Sequence, residues 1–233
     1  MLMVKKIIIA HRGASGHAPE NTLLSFRKAL DLGAQMIELD VRESLDGELI
    51  CIHDSTVDRT TNGSGEVHAL TYKELQNLDA GEGECIPRLD DVLKFASGKL
   101  HVNIELKVIG VEQKVLGMVE NLQMMKDIII SSFFHSTLVT IRDLNETVET
   151  AMLVNKQKNG LVSFALDYKV QAINPHYKLV TPDLVHSAHK ANLRIYPWTV
   201  NDQNLMKQLL KMDVDGLITD YPDRVTNVFR IDA

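Results

Sequence analysis
Stretches of strand character and stretches of helix character alternate along this chain, and that alternation constrains its fold more than any other feature. Ile7–Ala10, Met36–Val41, His101–Leu106, Ile128–Ser131, Glu149–Val154, Val170–Ile173, Arg194–Trp198 and Gly216–Thr219 are short runs of strand type. Between them, Thr22–Leu32, Val111–Gln123, His135–Leu144, Pro182–Ala191 and Asp202–Leu210 carry apolar residues at helical spacing, with Gly160–Leu166 a weaker case. Gly33 gives a stop, and Thr181-Pro182 and Asn201-Asp202 have the chemistry of helix starts. Repeated strand-then-helix units build a parallel sheet with helices outside, because each connection must cross back over the sheet. About eight such units predict a single α/β domain, a closed TIM (β/α)8 barrel rather than an open sheet. No GxGxxG follows the first strand, which argues against a dinucleotide fold.

One region, residues 43–93, breaks the rhythm. It reads as a hairpin turning at Leu45-Asp46-Gly47-Glu48, a polar loop Asp54–Gly65 and a helical piece Thr71–Leu78. This predicts a small subdomain inserted over the barrel mouth after the second barrel strand. Asn62-Gly63-Ser64-Gly65 resembles a phosphate-cradling loop in composition, but it lacks the lysine of a P-loop and reads better as a tight turn.

In a barrel strand, alternate side chains point inward. By that rule Met36, Glu38 and Asp40 face in, while Ile37, Leu39 and Val41 face the helices. On the next such strand Asn103, Glu105 and Lys107 face in, while Val102, Ile104 and Leu106 face out. Ile7, Ile9 and His11 share the inward face of the first strand. Three carboxylates, Glu38, Asp40 and Glu105, therefore converge at the mouth where barrel enzymes keep their active sites. Packed together without compensation they would repel and lose solvation. One divalent cation removes the conflict, and an all-oxygen donor set suggests Mg²⁺ or Ca²⁺ rather than zinc. The alternative is an ion-pair network with Lys107 and Arg12, which leaves two nearby histidines without a purpose.

Those histidines are His11, ending the first strand, and His53, ending Leu49–Ile52. Two imidazoles suit phosphoryl transfer, one accepting a proton and the other donating one to the leaving oxygen. Arg12 and Lys107 can hold the phosphate, Arg12 by a bidentate fork. The other histidines read as surface or helix residues, with His17 set apart by its place in the first barrel loop. The formal charge of −6 disfavours long nucleic acids as partners, so a phosphate substrate needs a local cation. No apolar run approaches the roughly 20 residues of a membrane span. Residues Met1–Ala10 are too short in their apolar part for a signal-peptide core, which predicts a cytoplasmic protein without a stable membrane anchor. Cys51 and Cys85 form no CxxC pattern and read as reduced thiols.

The ordered set His11-Arg12-Gly13, Pro19-Glu20-Asn21-Thr22, Glu38-Leu39-Asp40-Val41, His53-Asp54 and Arg59-Thr60-Thr61-Asn62-Gly63 resembles the signature of glycerophosphodiester phosphodiesterases. The resemblance continues through Ile86-Pro87-Arg88-Leu89, Asn103–Lys107, Trp198-Thr199-Val200-Asn201 and Asp215–Pro222, so it spans almost the whole chain. It implies a TIM barrel with an insertion after the second strand, a divalent metal on Glu38, Asp40 and Glu105, and an acid/base pair at His11 and His53. It also implies Trp198 beside Arg12 and Lys107 as a substrate-binding residue. The implied reaction splits a small glycerophosphodiester into glycerol 3-phosphate and an alcohol, by attack of the neighbouring glycerol hydroxyl or of water. A lipid-directed lysophospholipase D and an inactive binding barrel are the alternatives. Ala191-Asn192 stands where a glycine is expected before the seventh strand, and asparagine tolerates the left-handed conformation needed there.

Overall fold
The computed structural model describes residues 6–231, so the part of the start-of-chain expectation that rests on residues 1–5 lies outside the described residues. The elements run β1 (Ile7–Ala10), α1 (Leu23–Asp31), β2 (Met36–Glu43), β3 (Leu49–Cys51), α2 (Tyr72–Gln76), α3 (Leu89–Ala96), β4 (His101–Leu106), α4 (Glu112–Asn121) and β5 (Ile128–Ser132). They continue with α5 (His135–Leu144), β6 (Glu149–Val154), α6 (Leu161–Asp167), β7 (Ala172–Pro175), α7 (Pro182–Lys190), β8 (Arg194–Ile195), α8 (Gln203–Lys211), β9 (Gly216–Thr219) and α9 (Pro222–Ile231).

Every strand except β3 belongs to one parallel path in the order β8-β7-β6-β5-β4-β2-β1-β9. Its ends meet through backbone hydrogen bonds. Asp215 N donates to Ile195 O at 3.0 Å, Ile218 N to Pro197 O at 3.0 Å and Val200 N to Ile218 O at 2.9 Å. The fold is the expected eight-stranded TIM barrel. Pro197 has no N–H to give a ladder, which is why regular β8 stops at Ile195, short of the expected Trp198. The sixth barrel strand begins at Ala172 rather than Val170, because Val170 N closes the end of α6 on Ala165 O.

Strand alternation sorts the apolar residues into two layers. Ile9, Met36, Ile129, Ala151, Ala172, Tyr196 and Ile218 fill the inside of the barrel. Ile37, Leu39, Val41, Val102, Ile104 and Leu106 join the helices in the outer layer. Phe26 of α1 is fully buried there, and Thr22 starts that helix with a capping box to Ser25. Asn192 has φ +57°, so it takes the left-handed turn for which a glycine was expected.

Between β2 and α3, β3 pairs antiparallel with β2, and a Thr71–Glu74 capping box starts α2. Ile50, Ile52, Val57, Val67, Leu75 and Ile86 form a separate apolar cluster under this segment. The expected insertion, 43–93, runs too far: Leu89, Val92 and Leu93 lie on α3 and are buried in the outer layer of the barrel. Helices α3 and α9 are additions to the elements expected from the sequence. Asn62 exchanges backbone and side-chain hydrogen bonds with Asp79, and a Cβ on Gly63 would sit 2.6 Å from Leu78, so this loop is a turn closed on its own chain. Cys51 is buried, Cys85 exposed, and both are free. No described helix is long and apolar enough to cross a membrane.

Candidate active site
Strands β2 and β4 lie side by side with Glu38 opposite Asn103 and Asp40 opposite Glu105. This register carries the three acids to the C-terminal mouth on one inward face. Oxygens of Glu38, Asp40 and Glu105 all lie within 4.8 Å of one another, and all three residues are buried. Lys107 directly follows β4, paired with Glu105 and 3.1 Å from Asp40 Oδ1. Across the mouth, His11 N donates to Thr219 O, extending the β1–β9 ladder by one residue. The chain then turns through Arg12 and Gly13, both at positive φ. That turn aims the Arg12 backbone N–H at Glu38 Oε2, 2.8 Å away, while Arg12 Nε comes within 3.3 Å of Asp40 Oδ2 and Nη1 bonds Glu20. A Cβ on Gly13 would fall 2.3 Å from Ser25 Oγ and 2.7 Å from Ser25 backbone, so only glycine fits.

The charges do not balance by themselves. Burial, with repulsion from Asp40 and Glu105, pushes the Glu38 carboxyl well above the usual carboxylate range. Burial and Asp40 likewise push Glu105 up to about 7. Burial acts on Asp40 too, but Lys107, Arg12 and His53 outweigh it and hold Asp40 below its ordinary value. Two fixed cations thus satisfy one of three acids, and the other two hold protons more tightly than free carboxyls do. Asp40 Oδ1 is buried without a hydrogen bond among the described residues. Clustered hard oxygens and surplus negative charge fit a divalent cation. The ion-pair network exists as well, and it leaves this surplus unresolved.

Each histidine is anchored by a carboxylate. His11 Nδ1 is 2.6 Å from Asp220 Oδ1, and Asp220 also accepts from Ser15 and Asn201. His53 Nδ1 is 2.6 Å from Asp54 Oδ1, and Arg59 clamps Asp54 and Glu20 together. A carboxylate only accepts, so Nδ1 donates and Nε2 of each ring is left for chemistry. Burial lowers the pKa of His53; Asp40 and Asp54 oppose this, and Lys107 and Arg12 reinforce it. His17 instead bonds Asp223 and meets Tyr221 edge-on.

His11, Arg12, Glu38, His53, Glu105 and Lys107 line one cavity of about 220 Å³, which Trp198, Phe133 and Leu153 bound on an apolar side. Trp198 is fixed by its Nε1 donating to Asn174 O at 2.8 Å and by an edge-on contact with Phe133. Every candidate residue read from the sequence thus reaches this cavity or, for Asp40, its floor. Asp54, Asp220 and Phe133 were missed as site residues. Asp54 directly follows His53, and Asp220 directly follows the last strand, so strand-end position was the available signal.

The model of the glycerophosphoryl diester phosphodiesterase family matches residues 11–224. A glycerophosphodiester phosphodiesterase of Caldanaerobacter subterraneus subsp. tengcongensis is 38% identical, over 97% of this chain and 99% of that protein. The crystal structure of a glycerophosphodiester phosphodiesterase from Agrobacterium tumefaciens superposes with a TM-score of 0.84 at 32% identity, covering 95% of this chain and 99% of that one. A phosphodiesterase of Oleispira antarctica, solved in complex with the product sn-glycerol-3-phosphate, superposes with a TM-score of 0.87 at 28% identity, covering 97% of each chain. With barrel, acid cluster and anchored histidines in one mouth and a family match from His11 to Arg224, the chain belongs to the glycerophosphoryl diester phosphodiesterase family of phosphoric diester hydrolases.

Proposed function
We propose that the protein hydrolyses glycerophosphodiesters to sn-glycerol 3-phosphate and an alcohol, with His11 and His53 as the acid/base pair. The observation that carries this reading is the pair of carboxylate-anchored imidazoles sharing one cavity with a three-acid cluster and two cations. Arg12 and Lys107 hold the phosphate, and Trp198 gives the carbon skeleton of the substrate an apolar wall. A divalent cation, Mg²⁺ or Ca²⁺, on Glu38, Asp40 and Glu105 supplies Lewis acidity and charge neutralisation toward the phosphate. One imidazole takes the proton of the attacking hydroxyl, and the other gives a proton to the departing alcohol oxygen. The attacking group is the glycerol hydroxyl next to the ester, since a tethered nucleophile has the proximity advantage, and water then opens the resulting cyclic phosphate to sn-glycerol 3-phosphate. We take the protein to be cytoplasmic, a reading supported by its unpaired cysteines. Segment 44–88 acts as a small subdomain that carries His53 and Asp54 to the mouth.

The test is an assay of metal-stripped protein against a panel of glycerophosphodiesters, with Mg²⁺ or Ca²⁺ added back. Release of sn-glycerol 3-phosphate that depends on the added ion supports the reading, and no release with either ion overturns it. One observation favours a second reading, lipid-directed hydrolysis. Leu45, Ile109 and Phe134, on loops that follow β2, β4 and β5, are 61%, 63% and 45% exposed. A higher kcat/KM for a lysophospholipid than for its deacylated counterpart would select that reading.

A further inference from the structure
A second cavity, of about 290 Å³, adjoins the first. Phe133, Leu153 and Asn155 line both, so the two form neighbouring chambers with a common wall. The second is built from the loops after β5 and β6 and from the start of α6. Its character is opposite to that of the first. Among the described residues no acidic side chain lines it, whereas Lys156 and Lys158 do. The rest of its wall offers His135, Gln157, Asn155 and apolar surface.

A phosphodiester has two arms. With its phosphate between Arg12 and Lys107, one arm lies against Trp198 and the other leaves past Phe133 and Leu153. We infer that the second chamber is the leaving-alcohol subsite, and that it selects alcohols bearing an anionic group. Two ammonium groups without a carboxylate partner among the described residues favour a phosphate or carboxylate on that alcohol and disfavour an ammonium. Aromatic rings of Phe164, His135 and Tyr168 stand together nearby, which by itself would suit a quaternary ammonium. Lys158 already lies over the Phe164 ring and occupies the face such a cation would use. The chamber is therefore set for the opposite charge.

This inference rests on the hydrolytic reading above, and a matched substrate pair separates the two. Glycerophosphoinositol 4-phosphate and glycerophosphoinositol differ only in one phosphate on the leaving alcohol. With the full-length protein and one fixed divalent ion, kcat/KM should be about tenfold higher for the phosphorylated member, the scale of two solvent-screened charge contacts. The double variant Lys156→Ala/Lys158→Ala should bring the ratio to about one, mainly by loss on the phosphorylated member, and Lys158→Glu should invert it. Equal hydrolysis of both members by the native protein, or a preference that survives in the double variant, overturns the subsite and leaves the hydrolytic reading standing. Failure to hydrolyse either member overturns both.

Discussion
His11 and Asp220 stand 209 residues apart in the chain and 2.6 Å apart in the fold. The carboxylate at the end of the last barrel strand fixes the imidazole at the end of the first. Asp54 does the same for His53 from the adjacent position in sequence. The two anchors are thus built by different means, one global and one local, and their removal should have different consequences.

Under the proposed mechanism, replacing either imidazole removes a proton-transfer group. His11→Ala and His53→Ala should each lower kcat by roughly 10² to 10⁴, the usual worth of general acid–base catalysis. The double variant should be scarcely worse than the poorer single, because the pair acts as a unit. Steady-state kinetics at saturating substrate decides, and near-native kcat in either single variant would remove that residue from the chemistry. Asp220→Asn should cost less than His11→Ala, with a changed pH profile rather than a changed KM.

Metal affinity should depend on the buried acids and on pH. Glu38→Gln and Glu105→Gln should weaken divalent-ion binding sharply in calorimetry, with circular dichroism unchanged. Burial and Asp40 raise Glu105 to about 7 from its ordinary 4.5. A raised folded-state pKa means that the folded metal-free protein keeps a proton that the unfolded chain gives up. Its stabilising contribution is complete below about 4.5 and is lost as pH rises through about 7. A bound cation replaces that proton. The rise in Tm on adding Mg²⁺ or Ca²⁺ should therefore be larger near pH 8 than near pH 6. A pH-independent rise would show that these carboxyls do not titrate with the metal.

Gly13 sets the turn that brings Arg12 to the acids. Its φ of +81° opposes a side chain, and so does the 2.3 Å that would separate an added Cβ from Ser25 Oγ. Gly13→Ala should destabilise the fold by about 1–3 kcal/mol and raise KM through misplacement of Arg12. Denaturant unfolding and steady-state kinetics would report the two effects separately, and unchanged stability would show that the loop relaxes freely.

The identity of the nucleophile is open to a direct comparison. Glycerophosphocholine and its analogue lacking the hydroxyl next to the ester should bind alike if Arg12 and Lys107 hold the phosphate as proposed. Only the intact substrate should turn over at an appreciable rate. Comparable kcat values would point to water instead, whereas recovery of a cyclic glycerol phosphate would identify the internal hydroxyl.

Much of this site was legible because strand alternation is a local rule. Met36-Ile37-Glu38-Leu39-Asp40-Val41 places its acids and its aliphatic residues on opposite faces whatever the rest of the chain does, and the two apolar layers follow that division. Asp220 was not legible in the same way. Its partner is chosen by closure of the ring, which no local pattern encodes. Helix α3 was hidden because its first residues continue the irregular stretch from Asp54, and the extent of β8 depended on where its neighbours needed hydrogen bonds. Lys107 and Arg12 were expected on the phosphate. The structure gives each a second duty, since Lys107 pairs with Glu105 and Arg12 bonds Glu20 and approaches Asp40.

The seam between the first and last strands bears on how the protein acquires activity. Ile7 to Ala10 find their outer partners only in Gly216 to Thr219, and His11 finds its anchor only in the residue after them. On a ribosome, an emerging chain would assemble the acid cluster from β2 and β4 long before that seam could form. The acid-cluster half should therefore mature early, while His11 remains unanchored until Asp220 has emerged. Turnover would then serve as a late clock of folding, lagging behind binding of the proposed cation.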